Sequence, residues 1–299
     1  MLSFIVAMSK LRACLPALLC AAFVCGAAQA QDARALRARH AALHEQLANN
    51  PFGRALHVES SASGGAHKGE IYVVVEQPYR GVAAALARPA HWCDILTLQV
   101  NVKRCNASDD GGTLTAFITR KPRDPLDSAY RVDFRYDLAT ASADYLHVAL
   151  SSPSGPVGTR DYAILLEAAP LDSRRTFMHM SYAYTLGWMA RFAMDVYLAG
   201  AGRDKFGFSV VDRLPDGRPV YVDGMRGVVE RSAMRHYLGV EAYLESLSAP
   251  PGQSLEARLR RWYAAIARYP QLRETVGLDE YVEMKRREAS AALAGASSG

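Results

Sequence analysis

An arginine and an aspartate stand together at the head of an apolar strand, in the run PVGTRDYAILLEAAP of residues 156–170. A charged pair in a buried strand is costly unless hydrogen bonds or a partner satisfy it. If Arg160 points inward, the two-residue period of a strand sends Tyr162 and Ile164 to the same side. Asp161 then faces the other way and is expected to be structural. Two interpretations stay open: Arg160 binds the hydroxyl or carboxylate of a ligand, or the pair organises the strand end through backbone hydrogen bonds.

A second strand of interest is TFMHMSYAY, residues 176–184. Its alternation places Met178, Met180 and Tyr182 on one face and His179 on the other. Methionine adapts to irregular apolar shapes, which suits a lipid site, but it is equally an ordinary filler of protein cores. The strand therefore adds Met178, Met180 and Tyr182 to Arg160, Tyr162 and Ile164 as candidate ligand-binding residues.

Histidines inside predicted strands are the next candidates, and they are His147 and His179. We expect both, like Asp161, to be buried polar residues with a structural role. No Gly-x-Ser-x-Gly motif stands at a strand-to-helix turn, since the one match, GASSG at 295–299, lies in a segment predicted to be disordered. The chain also has no phosphate-binding glycine-rich loop after a strand and no His-Glu-x-x-His motif. No catalytic residue, cofactor or metal is therefore assigned.

The first thirty residues have the features of an export signal. Lys10 and Arg12 precede an apolar segment at 15–24, and the small residues of Ala28–Ala30 form a cleavage site. The alternative is a membrane anchor, although the uncharged run 13–30 is barely long enough to span a bilayer. We expect cleavage after Ala30 and a periplasmic or secreted protein.

Two cysteines, Cys93 and Cys105, remain after that cleavage. In an oxidising compartment they are expected to form a disulfide. The alternatives are a cysteine nucleophile or a metal site with His91. A zinc site needs about four ligands, and no second Cys/His cluster exists in the sequence.

Charge gives no sign of a nucleic-acid partner, because the 35 basic and 30 acidic residues are spread along the chain. Helical periodicity predicts a leading helix at 33–47, followed by a linker that ends at residue 69. A strand at 70–77 and short helices within 78–92 come next. The period then becomes two, which predicts an antiparallel meander with strands at 95–104, 113–120, 131–138, 145–151, 160–168 and 175–185.

The C-terminal part is predicted to be mainly helical. A helix at 187–198 is followed by two short strand-like segments and by a long amphipathic helix at 225–247. On that helix Glu230–Arg231 and Arg235–His236 are interpreted as a solvated face. Residues 249–299 are predicted as a helical extension whose last five residues, GASSG, are disordered.

This order of segments resembles the helix-grip fold, in which a curved antiparallel sheet surrounds a long C-terminal helix and encloses a cavity. The segment Val157–Tyr162 resembles the Arg-Asp-aromatic strand opening of START domains, the lipid-transfer branch of that fold. Pro78–Val82 resembles the start of the first short helix in the wider START-like and polyketide-cyclase-like superfamily. The resemblance implies an α+β START-like domain at 70–248 with extra flanking helices.

The resemblance implies binding or transfer of an apolar small molecule or lipid, with possible transient contact with a membrane surface. It also implies that Arg160 meets a buried acid, for which Asp133, Asp137 and Asp144 are the possible partners. One alternative is a cyclase or dehydratase in which Arg160, Tyr162 and His179 converge. A second is an envelope interaction module that uses an apolar patch on the helix bearing Trp188, Phe192 and Met194.

Overall fold

The computed structural model describes residues 32–200, 202, 205–250 and 252–296. The predicted signal peptide, its cleavage site and the last three residues of the predicted tail lie outside these ranges.

The described residues contain ten strands and eight α-helices. The strands are β1 (Leu56–Ser63), β2 (Ala66–Val75), β3 (Val102–Ala107), β4 (Thr113–Ile118), β5 (Tyr130–Ala141), β6 (Leu146–Ser154), β7 (Thr159–Pro170), β8 (Thr176–Leu186), β9 (Val210–Arg213) and β10 (Pro219–Tyr221). The helices are α1 (32–42), α2 (His44–Ala48), α3 (Tyr79–Leu86), α4 (Pro89–Leu96), α5 (Trp188–Ala199), α6 (Gly224–Ser246), α7 (Ser254–Ala267) and α8 (Leu278–Ala296).

Eight of the strands form one antiparallel sheet in the order β1-β2-β8-β7-β6-β5-β4-β3. Strands β3 to β8 form a meander. Its last strand, β8, pairs with β2, which precedes α3 and α4 in the chain. The sheet curves over α6, and this confirms the predicted α+β helix-grip architecture. The strands β9 and β10 form a separate hairpin between α5 and α6.

Helix α6 packs against the sheet with the stripe that the sequence predicted. Val229, Ala233, Tyr237 and Val240 are all fully buried. The sheet comes close enough to α6 that a Cβ on Gly69 of β2 would lie 2.6 Å from the carbonyl oxygen of Val229. Burying this apolar stripe provides the main driving force for packing the helix on the sheet.

Two sequence-based boundaries are wrong at the start of the sheet. The first strand begins at Leu56, inside the segment predicted as linker, and pairs with β2 along its whole length. The predicted strand 95–104 is instead the end of α4 and a turn, and β3 begins only at Val102. Pro89 occupies the first turn of α4, where its missing N–H costs nothing, and Trp92, Ile95 and Leu96 are buried at helical spacing.

The C-terminal helices share the main core with the sheet. Trp262 of α7 and Tyr281 of α8 are fully buried in the same cluster as α6 and the sheet. The predicted boundary at residue 248 therefore separates segments that pack together. Helix α8 continues through Ala296, so the first two residues of the predicted disordered tail are helical. No helix in the described part of the chain is both long and apolar enough to cross a membrane.

Candidate ligand cavity

A cavity of about 780 Å³ lies between the sheet and α6. Its walls come from β4, β5, β7, β8 and α6, and from the stretch 96–102 between the end of α4 and the start of β3. Residues of 119–122, 156–157 and 274–275 and Met194 of α5 also line it. Most of the lining is apolar, including Val102, Phe134, Ile164 and Leu186. A volume of this size falls within the range of about 300–1,000 Å³ that is typical of small-molecule sites.

Three tyrosines form one wall of the cavity. Tyr162 of β7 stacks on Tyr184 of β8 with ring centroids 5.6 Å apart, and Tyr182 meets both rings edge to face at 6.0 and 5.8 Å. Burial raises the pKa of Tyr162 and Tyr184 and holds that of Tyr182 well above its ordinary value. These phenols are therefore uncharged at neutral pH.

His236 of α6 lies opposite this wall, and its ring stacks on Tyr182 with centroids 4.7 Å apart. Its Nδ1 lies 2.8 Å from the carbonyl oxygen of Ser232, one turn earlier in the helix. The residue is half-buried and lines the cavity. Burial lowers the pKa of His236 to about 4, with nearby Arg235 acting in the same direction. The imidazole is therefore neutral at physiological pH.

Arg235 and Glu274 form an ion pair at the cavity edge. The guanidinium Nε lies 3.0 Å from Glu274 Oε1, and Nη2 donates to the carbonyl oxygen of Leu272 at 3.2 Å. Both side chains are largely buried. The pair joins α6 to the segment after α7 and leaves no net charge at this point of the lining.

The mouth of the cavity is marked by Val157 and Arg120, which line it and are solvent-exposed. Val157 has φ 60°, a left-handed conformation that is rare for a β-branched residue. Helix α5 packs against residues 156–158 and the end of β8, next to this mouth.

Of the predicted ligand-binding residues, Tyr162, Ile164 and Tyr182 line the cavity. Met178 and Met180 share the inward face of β8 with Tyr182 but lie earlier on the strand, where they are 1 % exposed and belong to the packed core. These two methionines are therefore core residues and do not line the cavity.

The predicted inward orientation of Arg160 is wrong, and so is the burial of Asp161. Their side chains are 60 % and 64 % exposed and approach each other only to 3.8 Å. The cause is a bulge in β7: Asp161 has φ 54°, and the pairing with β8 shifts between Arg160 and Ala163. Arg160 is thereby paired with Thr185, which lies on the outer face between the inward residues Tyr184 and Leu186. In the described part of the chain, none of the three predicted acid partners pairs with Arg160.

His147 and His179 lie on the face of the sheet opposite to the cavity. His179 is buried as predicted, with Nδ1 2.7 Å from Glu167 and Nε2 3.1 Å from Glu70, and it stacks on Tyr72 at 4.5 Å. Burial lowers the pKa of His179, but hydrogen bonds and charge attraction from the two carboxylates outweigh it and raise the pKa overall. His147 is only half-buried and makes a ring contact with Tyr145. Neither histidine reaches the cavity or Arg160.

Sequence reasoning missed His236 and Arg235 because charged neighbours suggested a solvated face on α6. The structure shows the opposite, since the segment after α7 covers this side of the helix through Arg231, Arg235 and Glu274. Glu230 is fully buried as well. A signal was present in the sequence: His236 follows Val229 by seven residues, so it belongs to the edge of the buried stripe.

The predicted disulfide between Cys93 and Cys105 is confirmed, with Cα atoms 5.1 Å apart. It joins α4 to β3 on either side of the loop that lines the cavity, and it excludes Cys93 as a free nucleophile or metal ligand. Among the described residues no group of histidine, cysteine, aspartate and glutamate side chains has a geometry suited to a metal ion.

Comparison with solved structures gives neighbours of low sequence identity. The Zhui aromatase/cyclase from Streptomyces sp. R1128 is 17 % identical, with 66 % of this chain and 99 % of that chain covered and a TM-score of 0.36. Norcoclaurine synthase from Thalictrum flavum is 13 % identical over 46 % of this chain and 86 % of its own, with a TM-score of 0.34. A conserved protein from Geobacillus kaustophilus is 11 % identical over 46 % and 85 %, with a TM-score of 0.32.

No protein-family model matches the chain, and no curated protein matches it by sequence. The aromatase/cyclase and norcoclaurine synthase have the helix-grip fold. Because the TM-scores are below 0.5, the fold assignment rests on the strand order of this chain and on the packing of α6 described above.

Proposed function

We propose that the protein binds a hydrophobic small molecule in the cavity between the sheet and α6. The observation that carries the proposal is the cavity itself, which remains open at about 780 Å³ although the surrounding core is closely packed. Its walls are paired strands and a long helix, and sites built in this way are usually preformed. A ligand that buries roughly 250 Å² of apolar surface there would gain about 6 kcal/mol before the costs of association.

The enzymatic alternative needs Arg160, Tyr162 and His179 to converge. Arg160 is in solvent and His179 is on the opposite face of the sheet, so this trio gives the cyclase or dehydratase hypothesis no support. The side chains that do line the cavity support ligand binding without a catalytic step.

Fluorescence titration with N-phenyl-1-naphthylamine, a neutral apolar dye, tests the proposal. We expect a fluorescence change that saturates with dye concentration, as binding at one preformed apolar site would give. The variant Ala116→Phe adds a ring inside the cavity, because Ala116 is buried and lines it. It should abolish saturable binding.

The matched control is Ala149→Phe, which adds the same volume on the outer face of the sheet. Ala149 alternates with Val148 and Leu150, which are fully buried on the inner face. This variant should bind the dye like the wild type. Equal dye binding by Ala116→Phe and the wild type would show that the dye does not occupy the cavity.

We propose, as a second function, that α5 brings the cavity mouth to a membrane surface. Trp188, Phe192 and Val196 recur every fourth residue and are 81 %, 69 % and 58 % exposed. Arg191 is exposed on the same helix, and Met194 lines the cavity. A helix with an apolar stripe, a tryptophan and a basic side chain is suited to an anionic membrane interface.

Co-sedimentation with phosphatidylglycerol vesicles tests this second function. The double variant Trp188→Ser/Phe192→Ser should lower the partition coefficient at least about tenfold, because two large apolar side chains no longer insert. The control Leu293→Ser removes an apolar side chain of α8 that is 75 % exposed and should leave it unchanged. Equal sedimentation of all three proteins would contradict the proposal.

We propose further that the protein is exported and cleaved after Ala30. The disulfide supports this, since disulfides persist in oxidising compartments. N-terminal sequencing of protein recovered from the periplasm or medium should begin at Gln31. A mature chain that begins at Met1 in the cytosol would contradict it.

A further inference from the structure

We propose that the cavity selects an uncharged, planar aromatic ligand whose hydroxyl group donates a hydrogen bond to Nε2 of His236. This rests on the proposed function and names the class of molecule that the cavity accepts. Three features of the lining carry it: the fixed tautomer of His236, the absence of net charge facing the inner cavity, and the stacked aromatic wall.

The hydrogen bond to Ser232 fixes which nitrogen of His236 carries the proton. A carbonyl oxygen can only accept, so Nδ1 must be the donor across the 2.8 Å contact. In a neutral imidazole the other nitrogen is then an acceptor. Within the part of the chain that the structure describes, no residue hydrogen bonds to Nε2 of His236. Because His236 lines the cavity and its Nε2 has no partner among these residues, the lone pair is available to a donor on a ligand.

Among the residues that the structure describes, no cation without a carboxylate partner lines the inner cavity. Arg235 already donates to Glu274 and to the carbonyl oxygen of Leu272. The tyrosine phenols are neutral, and Arg120, at the mouth, is exposed to solvent. A fatty acid or other carboxylate would therefore lose its hydration without gaining an ion pair deep in the site, which is costly. Neutral ligands avoid this cost.

The aromatic wall favours a flat ring over a saturated chain. His236 and Tyr182 are nearly parallel, with 22° between their planes, and Tyr162 and Tyr184 are inclined by 24°. Aromatic rings gain about 0.5–1.5 kcal/mol per pair in offset-stacked or edge-to-face contacts beyond the burial of their area. A ring placed against this wall can make such contacts and direct a hydroxyl toward His236.

Displacement of N-phenyl-1-naphthylamine by three probes of one shape tests the proposal at pH 7. The probes are 1-naphthol, naphthalene and 1-naphthoate. We expect 1-naphthol to bind about tenfold more tightly than naphthalene, the gain from one hydrogen bond to a buried acceptor. 1-Naphthoate should be the weakest of the three.

His236→Phe removes the acceptor and keeps a planar ring, so 1-naphthol and naphthalene should then bind equally. His236→Gln restores an acceptor oxygen and should restore the preference for 1-naphthol. Circular dichroism of both variants checks their fold. The ranking of the three probes on the wild type needs no variant, so the proposal stays testable if either variant misfolds.

The outcomes separate the two proposals. Tightest binding of naphthalene or 1-naphthoate, or an unchanged preference in His236→Phe, overturns the ligand class while cavity binding stands. If the dye and all three probes fail to bind, the proposed function itself is overturned, and the ligand class with it.

Discussion

Glu230 illustrates how a single buried charge can be satisfied in this protein. Its side chain is fully buried on α6. It accepts hydrogen bonds from the backbone N–H of Phe208 at 2.6 Å and of Ser209 at 2.9 Å, and from the hydroxyl of Ser60 at 2.6 Å. The carboxylate thus ties the chain before the β9–β10 hairpin to both α6 and the edge strand β1.

Replacing Glu230 with alanine should lower the free energy of unfolding by about 3 kcal/mol, because two backbone donors and a hydroxyl lose their acceptor in a buried place. Urea denaturation measures the change. The control is Glu245→Gln on the same helix, whose ion pair with Arg261 is long and exposed, and it should stay within about 0.5 kcal/mol of wild type. An unchanged free energy of unfolding in Glu230→Ala would contradict the role assigned to this residue.

The cluster of His179 with Glu70 and Glu167 predicts a pH dependence of stability. The raised pKa of His179 means that its contribution is fully present below the ordinary value of 6.5 and is lost as the pH rises through the folded pKa. The pKa of Glu70, which burial would raise, is lowered to about 2 by His179 and Lys68, so its contribution is present above 4.5 and is lost as the pH falls toward 2. The cluster stabilises most between pH 4.5 and 6.5.

The stability difference between wild type and His179→Gln should therefore be largest between pH 4.5 and 6.5, the ordinary values of the two groups, and should shrink on either side. Chemical denaturation at a series of pH values measures it. His44→Gln, at an exposed position, serves as the control and should show no such maximum. A difference for His179→Gln that does not vary with pH would refute the argument.

At the scale of elements, the alternation of polar and apolar residues predicted β4 to β8 well, because one face of each strand is buried and the other is not. It failed at residues 95–101, where Leu96 and Leu98 fit a strand period while Ile95 and Leu98 fit a helical one. The helix α4 that forms there begins at Pro89 and is crosslinked to β3 by the disulfide. Strand β1 was missed because its exposed end is rich in serine and glycine follows it, a composition typical of loops.

The disulfide between α4 and β3 should stabilise the cavity wall formed by residues 96–102. The double variant Cys93→Ala/Cys105→Ala should lower the free energy of unfolding by about 2–3 kcal/mol, because a short loop of the unfolded chain is no longer closed. Urea denaturation measures the loss, and reduced wild type should show a similar one. Unchanged stability in both would mean that the crosslink does not constrain this wall.

At the scale of the whole molecule, most of the architecture could be predicted and only part of the site could be. The order of the strands and the long helix followed from periodicity, and the resemblance of that order to the helix-grip fold implied the architecture. The bulge at Asp161 could not be read from alternation, and it moved Arg160 from the expected inner face to solvent. The seven-residue spacing from Val229 placed His236 near the buried stripe of α6, but the segment around Glu274 that covers this side of the helix is a long-range contact that no local pattern indicates.

The C-terminal helices belong to this whole-molecule argument, since the segment after α7 lines the cavity and both α7 and α8 bury aromatic residues in the core. A chain that stops after Leu247 should lose cooperative unfolding and aggregate, because the far side of α6 becomes exposed. A chain that stops after Ser290, and so loses only the end of α8, should melt like the full chain. Calorimetry and size-exclusion chromatography distinguish these results, and a stable, monomeric short chain would contradict the shared core.

The most direct test of cavity binding is a crystal structure of the protein with 1-naphthol. We predict that the ring occupies the space between the sheet and α6, against Tyr182, with its hydroxyl within hydrogen-bonding distance of Nε2 of His236. A probe bound only at the surface, with the cavity filled by side chains, would contradict the account.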